Sequence, residues 1–445
     1  MSRSTAALRS DAGLRVSSTS ALLDRRTIRL RNGRSFLSPT GRLLTFAAPP
    51  AGITRQLVEA GAAHPVPAPR PAHDVTVVVP VRDRPRELAR CLAALGDVDT
   101  LVVDDGSHDQ DAVARVCARH GARMVRRDNG GPAAARNTAL PLLSKEIVAF
   151  LDSDCVPPTG WLQQLRGHLD DPRVAAVAPR VTGGLRSPLD LGSEPGLVRP
   201  GNPVAYVPTA ALLVRREALT PFDETLRFGE DVDLVWRMVE AGWLVRYDPR
   251  VVVHHEEPVR VGDRLVRRFR YGTSAAPLSE RHPAAVTHLV APPWPTVSVL
   301  ALMAGRPIAA LAAGAVTGQR LQRHLHDPAA SARVTGRAVS GTAQGLGRAL
   351  SLLGPVAWLA GWRRPQLLAL MALPLVVEQL ERRPEAPPLR YVGEGLLEQA
   401  AYGAGVVAGC VQHRTARPLL PRVARAEGRA RSPGAARRSG PSHPD

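Results

Sequence analysis

The sequence predicts an α/β fold on a mostly parallel sheet, and three observations carry that reading. Short β-branched runs at Val75–Val81, 101–103 and 148–151 alternate with stretches of helical periodicity. Each run ends in charged residues: Arg82 and Asp83, then Asp104 and Asp105, then Asp152 and Asp154. Parallel strands bring such ends to one edge, the edge at which open α/β sheets bind ligands. No G-x-G-x-x-G or G-x-x-x-x-G-K-[ST] segment is present, so neither a dinucleotide fingerprint nor a P-loop accounts for that edge.

Composition bounds the rest. A chain of 445 residues, 44% of them hydrophobic, has room for two or three domains. The net charge is +18, and the basic residues are almost all arginine, Lys145 being the only lysine. No zinc-finger, RNP or helix-turn-helix pattern accompanies that charge, so nucleic acid is not an expected partner. Cys91, Cys117, Cys155 and Cys410 are scattered without C-x-x-C spacing, which argues against a zinc site and a disulfide framework and suits a reducing compartment. The first 21 residues hold no apolar core of signal-peptide length, and the expected location is cytoplasmic.

Residues 1–72 read as a small module: a hairpin about Asn32-Gly33, a helix over 52–63, and a Pro/Ala linker. Residues 73–285 form the α/β domain. After the strand at 75–81 comes a helix over 85–95, then a strand at 101–103 and a helix over 112–120. Met124-Val125 offers a third strand before Gly130-Gly131-Pro132, a turn that runs into a helix carrying Arg136. Three βα units followed by the buried strand at 148–151 predict right-handed crossovers. Residues 180–208 are rich in Gly and Pro, the mark of a loop over a pocket. Val232, Val235, Trp236 and Val239 fall at helical spacing behind Glu230 and Asp231, and a further strand at 251–253 ends in His254 and His255.

Residues 286–415 turn to Ala, Leu and Val with scattered Arg, and Arg306, Arg363 and Arg364 interrupt every apolar run short of the roughly 20 residues that cross a bilayer. Such segments suit core or interfacial helices, and a membrane surface is a possible partner, which would place the protein at the inner face of the cell membrane. Residues 416–445 read as a basic, Pro- and Gly-rich disordered tail.

Alternate positions of an extended segment face the same way, so Asp152 and Asp154 can converge on a hard divalent cation that in turn holds a diphosphate. A strand followed by a polar turn is the plainer explanation of either carboxylate alone. Acidic residues opening a helix likewise suit its dipole without any catalytic part.

Taken together, Val77-Val78-Val79-Pro80-Val81, Val103-Asp104-Asp105-Gly106-Ser107, the turn-helix at 130–137, Phe150-Leu151-Asp152-Ser153-Asp154 and Gly229-Glu230-Asp231-Val232-Asp233-Leu234 resemble the family 2 glycosyltransferases, whose catalytic domain is a Rossmann-like GT-A fold. The resemblance implies a UDP-sugar donor and Mg²⁺ or Mn²⁺. It places Pro80, Arg82, Gly131 and Arg136 around the donor, with Asp104 or Asp105 as the uracil reader, Asp104 favoured. Asp152 would lie near the ribose and the metal, Asp154 would be the direct metal ligand, and His255 or His254 would complete the metal's protein shell. Asp231 would be the base, with Glu230 beside the acceptor. The Q-x-x-R-W segment of processive synthases is missing; residues 267–272 stand in its place, and a long-chain polymerase is not expected.

A narrower likeness extends over nearly the whole chain. Residues 270–276, Arg281-His282-Pro283 and the apolar C-terminal third look like the glycosyltransferases of actinobacterial mycofactocin systems. That implies transfer of glucose from UDP-glucose onto premycofactocin, a small peptide-derived acceptor, to build a short β-1,4-glucan. The alternatives are a family 2 enzyme acting on a cell-envelope glycan or lipid, a nucleotidyltransferase, and an inactive nucleotide-sugar-binding module.

Overall fold

In this computed structural model the described residues are 63–420, apart from 185, 259, 284, 286–289, 326–327, 354 and 383–385, with short strands at 13–16, 21–22, 27–29, 35–37 and 422–423. Nine strands form the central sheet: β1 (Val75–Val81), β2 (Thr100–Asp105), β3 (Arg123–Arg127), β4 (Ile147–Leu151), β5 (Cys155–Val156), β6 (Val174–Thr182), β7 (Gly196–Val198), β8 (Ala211–Arg215) and β9 (Leu244–His255). Their order is β5-β9-β6-β8-β4-β1-β2-β3, with β7 also paired to β9.

The first four strands are parallel, with β1 between β2 and β4. The charged ends at 82–83, 104–105 and 152–154 therefore do share one edge. Past β4 the sheet becomes mixed, because β8 runs antiparallel to both β4 and β6. An antiparallel neighbour needs no helical crossover, so the chain reaches β8 through the loop after β6 without a helix.

Period-two alternation sorts β1 between two cores. Val75, Val77, Val79 and Val81 pack against Leu88, Cys91 and Leu92, whereas Val78 joins Val103, Phe150 and Leu234 on the opposite face. Both faces are covered, which is why these strands read as continuous apolar runs. Full burial of each such side chain is worth about 1.5–3 kcal/mol.

Helix α1 (Pro85–Leu95) opens with proline at its first turn and buries Leu88, Cys91, Leu92 and Leu95, one stripe at 3.6-residue spacing. Helix α2 (Gln110–Arg119) is capped by Asp109, whose side chain accepts from the Ala112 amide at 2.9 Å. Helix α3 (Pro132–Ala139) follows the glycine turn, α4 (Trp161–Arg166) packs behind β6, and α5 (Glu230–Glu240) opens with the acidic pair.

Strand β9 is long and divided. Its register with β6 jumps between Asp248 and Val252, and Pro249, which has no amide hydrogen to donate, sits in the resulting bulge. Before the bulge every residue is buried; after it buried and exposed residues alternate.

Two helices, α6 (Val261–Thr273) and α7 (Ala275–Arg281), lead into the helical region: α8 (Pro293–Met303), α9 (Pro307–Leu325), α10 (Pro328–Leu352), α11 (Pro355–Arg363), α12 (Pro365–Arg382) and α13 (Pro388–Gln412). Each of these last six begins with proline, whose fixed φ and missing amide hydrogen suit a first turn. Helix α13 returns to lie along α6, and glycines permit the approach: a Cβ on Gly405 would stand 2.0 Å from the Phe269 carbonyl oxygen, and one on Gly272 2.2 Å from that of Tyr402. Arginines of α6 fasten the contact, Arg264 and Arg268 pairing with buried Glu398 at 3.2 Å. No helix among the described residues is long and apolar enough to cross a membrane.

At the amino terminus, strand 27–29 pairs antiparallel with 35–37, and the Asn32-Gly33 turn between them lies outside the described residues, as do the expected helix over 52–62 and the tail beyond 423. The four cysteines are free and buried.

Candidate active site

The acidic edge closes around one buried guanidinium. Arg136, on α3 and only 3% exposed, donates to Asp152 Oδ1 at 2.7 Å and to Glu230 Oε1, 94 residues away along the chain, at 3.0 Å, so it joins the end of β4 to the start of α5. Its guanidinium also lies 5.5 Å from the centre of the Phe222 ring. A buried charge with no partner would cost several kcal/mol; with two carboxylates it becomes a fixed strut.

The chain enters α5 through Gly229, whose φ of 82° lies in the left-handed region. A Cβ there would meet Leu278 Cδ1 at 3.0 Å and Ser274 Cβ at 3.1 Å, so both the backbone and the space call for glycine. The turn points Glu230 and Asp231 at the sheet edge. Burial, helped by the charge of Asp231 and resisted by Arg136, lifts the Glu230 carboxyl to about 7. Burial likewise raises Asp231, against the pull of Arg136, and its carboxylate accepts the Val232 amide at 2.8 Å. A desolvated carboxylate with little to hold its charge is the form a proton acceptor takes.

Asp154 stands across the edge. Its Oδ1 is 3.5 Å from His255 Nε2, and its Oδ2 accepts from Arg84. Strand β5 pairs with the end of β9, setting Cys155 opposite His255. The His doublet is thereby resolved: His255 is buried and faces Asp154, whereas His254 points to solvent. The other ring nitrogen of His255 lies 3.2 Å from Glu257 Oε1, and Glu257 is itself held by Ser187 at 2.7 Å and by Arg267. A carboxylate behind a histidine fixes the ring and its tautomer, as behind metal-bound histidines. Burial and the neighbouring Asp152 raise Asp154, with His255 and Arg84 opposing.

These residues fit a divalent cation that arrives on a diphosphate. Two ligands of one octahedral ion stand about 3 Å apart, close to the Asp154–His255 spacing. Among the described residues no three His, Cys, Asp or Glu side chains gather at one point, so the protein offers a two-point mount and leaves the remaining positions to phosphate oxygens and water.

The carboxylates of β2 are committed internally. Asp104 is fully buried, pairs with Arg126 and accepts the Ser107 amide at 2.9 Å. Asp105 accepts the amides of Gly130 and Gly131 at 2.9 and 2.8 Å, fixing the glycine turn ahead of α3. A uracil reader at this turn has to exchange one of those partners. Asp83, at a φ of 55°, accepts the His108 amide at 2.7 Å while its own amide donates to Ser107 Oγ at 2.9 Å, which ties the exposed Arg82 loop to the same place; Pro80 lies in β1 just before that loop.

Compared with known proteins, residues 76–193 match Glycosyl transferase family 2. The pre-mycofactocin glycosyltransferase of Mycobacterium tuberculosis is 36% identical over 437 residues, 89% of this chain and 93% of that protein. The chain belongs to glycosyltransferase family 2, among the pre-mycofactocin glycosyltransferases. The glycosyltransferase AglE of Haloferax volcanii is 27% identical over 44% of this chain and 71% of its own length. Glucosyl-3-phosphoglycerate synthase from Mycobacterium tuberculosis, solved with Mn²⁺, uridine diphosphate and its product, superposes loosely: 19% identity, 49% of this chain, 82% of that one, TM-score 0.36.

Several residues of this family 2 site carry no sequence signal of their own. Arg84, Glu257 and Arg267 meet Asp154 and His255 only through folding. Tyr271, whose hydroxyl is pushed up to about 12 by burial, lies on α6 within the field of Asp231 and Asp152, and Tyr206 of the long loop lies within that of Asp231. Arginines of the long loop have partners of their own: Arg180 pairs with Asp190 at 2.8 Å, and Arg186 stacks 4.7 Å from the Tyr391 ring.

Proposed function

We propose that this chain is an inverting, cation-dependent transferase that moves glucose from UDP-glucose onto premycofactocin and builds a short β-1,4-glucan on it. The observation that carries the reading is the Arg136 strut, which holds Asp152, beside the Asp154–His255 mount, at a set distance from Glu230 and the desolvated Asp231. In this reading donor and acceptor chemistry lie on either side of that guanidinium.

In this reading Pro80, Arg82 and Gly131 line the uridine, with Asp104 or Asp105 reading the uracil edge, and Asp152 lies near the ribose. A Mg²⁺ or Mn²⁺ ion on Asp154 and His255 supplies the Lewis acidity that the departing diphosphate requires at neutral pH. Arg84 and Arg267 bring positive charge to the same oxygens, a part that two guanidinium forks suit. Asp231 takes the proton of the acceptor hydroxyl, a role worth about 10² to 10⁴ in rate. Glu230, held by Arg136, orients the acceptor. Attack opposite the leaving group turns an α-linked donor into a β-glycoside and needs no carboxylate nucleophile.

Incubating the protein with Mn²⁺, a panel of UDP-sugars and a premycofactocin-type acceptor, followed by mass spectrometry, tests this directly. Successive additions of 162 mass units, roughly one dehydrated hexose each, from UDP-glucose are expected. Transfer only to a lipid or cell-envelope glycan would favour the wider family 2 alternative, and a nucleotidylated product would overturn the class.

A membrane-surface attachment accompanies this reading. Leu300, Leu302, Ile308 and Leu311 on α8 and α9 are 54–83% exposed, and Arg306 stands among them; Val356 and Leu359 of α11 are also exposed, next to Arg363 and Arg364. Apolar side chains flanked by guanidinium groups suit the headgroup region of an anionic bilayer. Co-sedimentation with anionic but not neutral vesicles is expected, and equal recovery in both supernatants would remove the attachment.

A further inference from the structure

At the opposite end of β9 from His255, a recess of about 280 Å³, measured out to its open mouth, is lined by His64, His168, Gly196, Arg246, Asp248 and Arg250. Nine residues of chain separate Arg246 from His255, on the order of 25 Å along a bulged strand, so this recess has no part in the sugar-transfer edge.

Arg246 is its floor. The side chain is 2% exposed, and among the described residues all three guanidinium nitrogens lack a hydrogen-bond partner. The nearby acids are already taken. Asp171 pairs with Arg173 at 2.9 Å, and Asp248 accepts from Arg250 at 2.8 Å and faces His168 Nε2 at 2.8 Å. Arg173 and Arg199 add their own positive fields at Arg246, and burial with those fields brings its guanidinium down to about 10. His64 Nε2 and His168 Nδ1, both on buried rings, are likewise without partners. The three guanidinium nitrogens are donors with nothing to donate to, and a guanidinium is a fork built for oxyanions; His64 Nε2 adds a donor in the tautomer that protonates it, whereas His168 Nδ1 is a lone pair while Nε2–H donates to Asp248.

We propose that this recess binds a compact oxyanion of phosphate or sulfate size, seated on Arg246 and flanked by His64 and His168. The bound anion neutralises the buried guanidinium and ties the segment bearing His64 to β9, so it acts on stability and not on sugar transfer. The enclosed part of the recess is narrow, about 10 Å³, so the anion occupies its open mouth above Arg246.

Thermal melts of the full chain in phosphate, in sulfate and in chloride at matched ionic strength test this, with Arg246→Met alongside. A saturable rise of about 2–4 °C in phosphate and sulfate is expected for the wild type and none for Arg246→Met. Because the variant also removes an orphaned charge, it should melt no lower than the wild type when oxyanion is absent. Equal shifts in both proteins, or a rise in chloride as large as in phosphate, would overturn the site. Should Arg246→Met not fold, equilibrium dialysis of the wild type with its donor site filled by UDP and Mg²⁺ decides the matter. About one retained phosphate per chain supports the site, and none refutes it.

Discussion

The two ends of β9 are built on opposite electrostatic plans. At its carboxyl end His255 sits among Asp152, Asp154, Glu257 and, across the Arg136 strut, Glu230 and Asp231, so acids outnumber the guanidinium groups of Arg84, Arg136 and Arg267. At its amino end Arg246 lies with Arg173, Arg199 and Arg250 against only Asp171 and Asp248. Both ends are buried, and each holds charge that the chain itself does not balance. The difference teaches that the first end has the charge to suit a cation and the second the charge to suit an anion, as proposed above. Substitutions at the first should change chemistry and those at the second should change stability.

The sharpest division comes from Asp231→Asn. It should lower kcat by about 10² to 10⁴ while leaving UDP affinity and the melting temperature unchanged, as read by single-turnover assays beside a UDP titration. Equal loss of rate and UDP binding would move Asp231 to the donor side.

At the other end, Asp248→Ala breaks a buried pair and strands Arg250 and His168. It should cost about 3–5 kcal/mol of stability in a urea titration at pH 7 without changing kcat in the residual folded protein. Partners hold the Asp248 carboxyl well below its ordinary range, so its contribution is present above the unfolded value of 3.8 and is lost as pH falls toward the folded one. The acid limb of the wild-type stability curve should therefore be steeper than that of the variant.

Glu257→Gln leaves the Asp154–His255 mount in place and removes the carboxylate behind the imidazole. A loss of about 10- to 100-fold in apparent Mn²⁺ affinity is expected from metal titrations of activity. No change would mean that His255 needs no such support.

The smallest effect concerns pH. Asp231 accepts a proton only when ionised, and the Glu230–Asp231 pair is held above the ordinary carboxylate range, Glu230 at about 7. The rate should therefore fall as pH drops through an apparent value near neutrality that belongs to the pair. Since Arg136 lowers both groups, Arg136→Met should move that limb upward by about one unit.

Much of this was legible in the linear order of residues. The β-branched runs, the carboxylates that end them and the glycine turn before Arg136 mark a parallel sheet with one acidic edge, because burial on both faces and side-chain alternation are local properties that a pattern records. Asp154 and Asp231 stand out for the same reason. The doublet His254-His255 did not resolve, because which imidazole faces the edge depends on the β5 pairing and on the bulge at Pro249, both set by distant segments.

What the sequence by itself determined, then, is the sheet's parallel half, its acidic rim and the family to which the chain belongs. Tertiary structure alone decided that Arg136 bridges Asp152 and Glu230, that Glu257 and Arg267 stand behind His255, that Asp104 is enclosed by Arg126, and that Arg246 meets no hydrogen-bond partner among the described residues. The physical reason is that charge balance is a property of a place and not of a stretch of chain: arginine recurs throughout this sequence, and only folding shows which of them meets a carboxylate and which meets none.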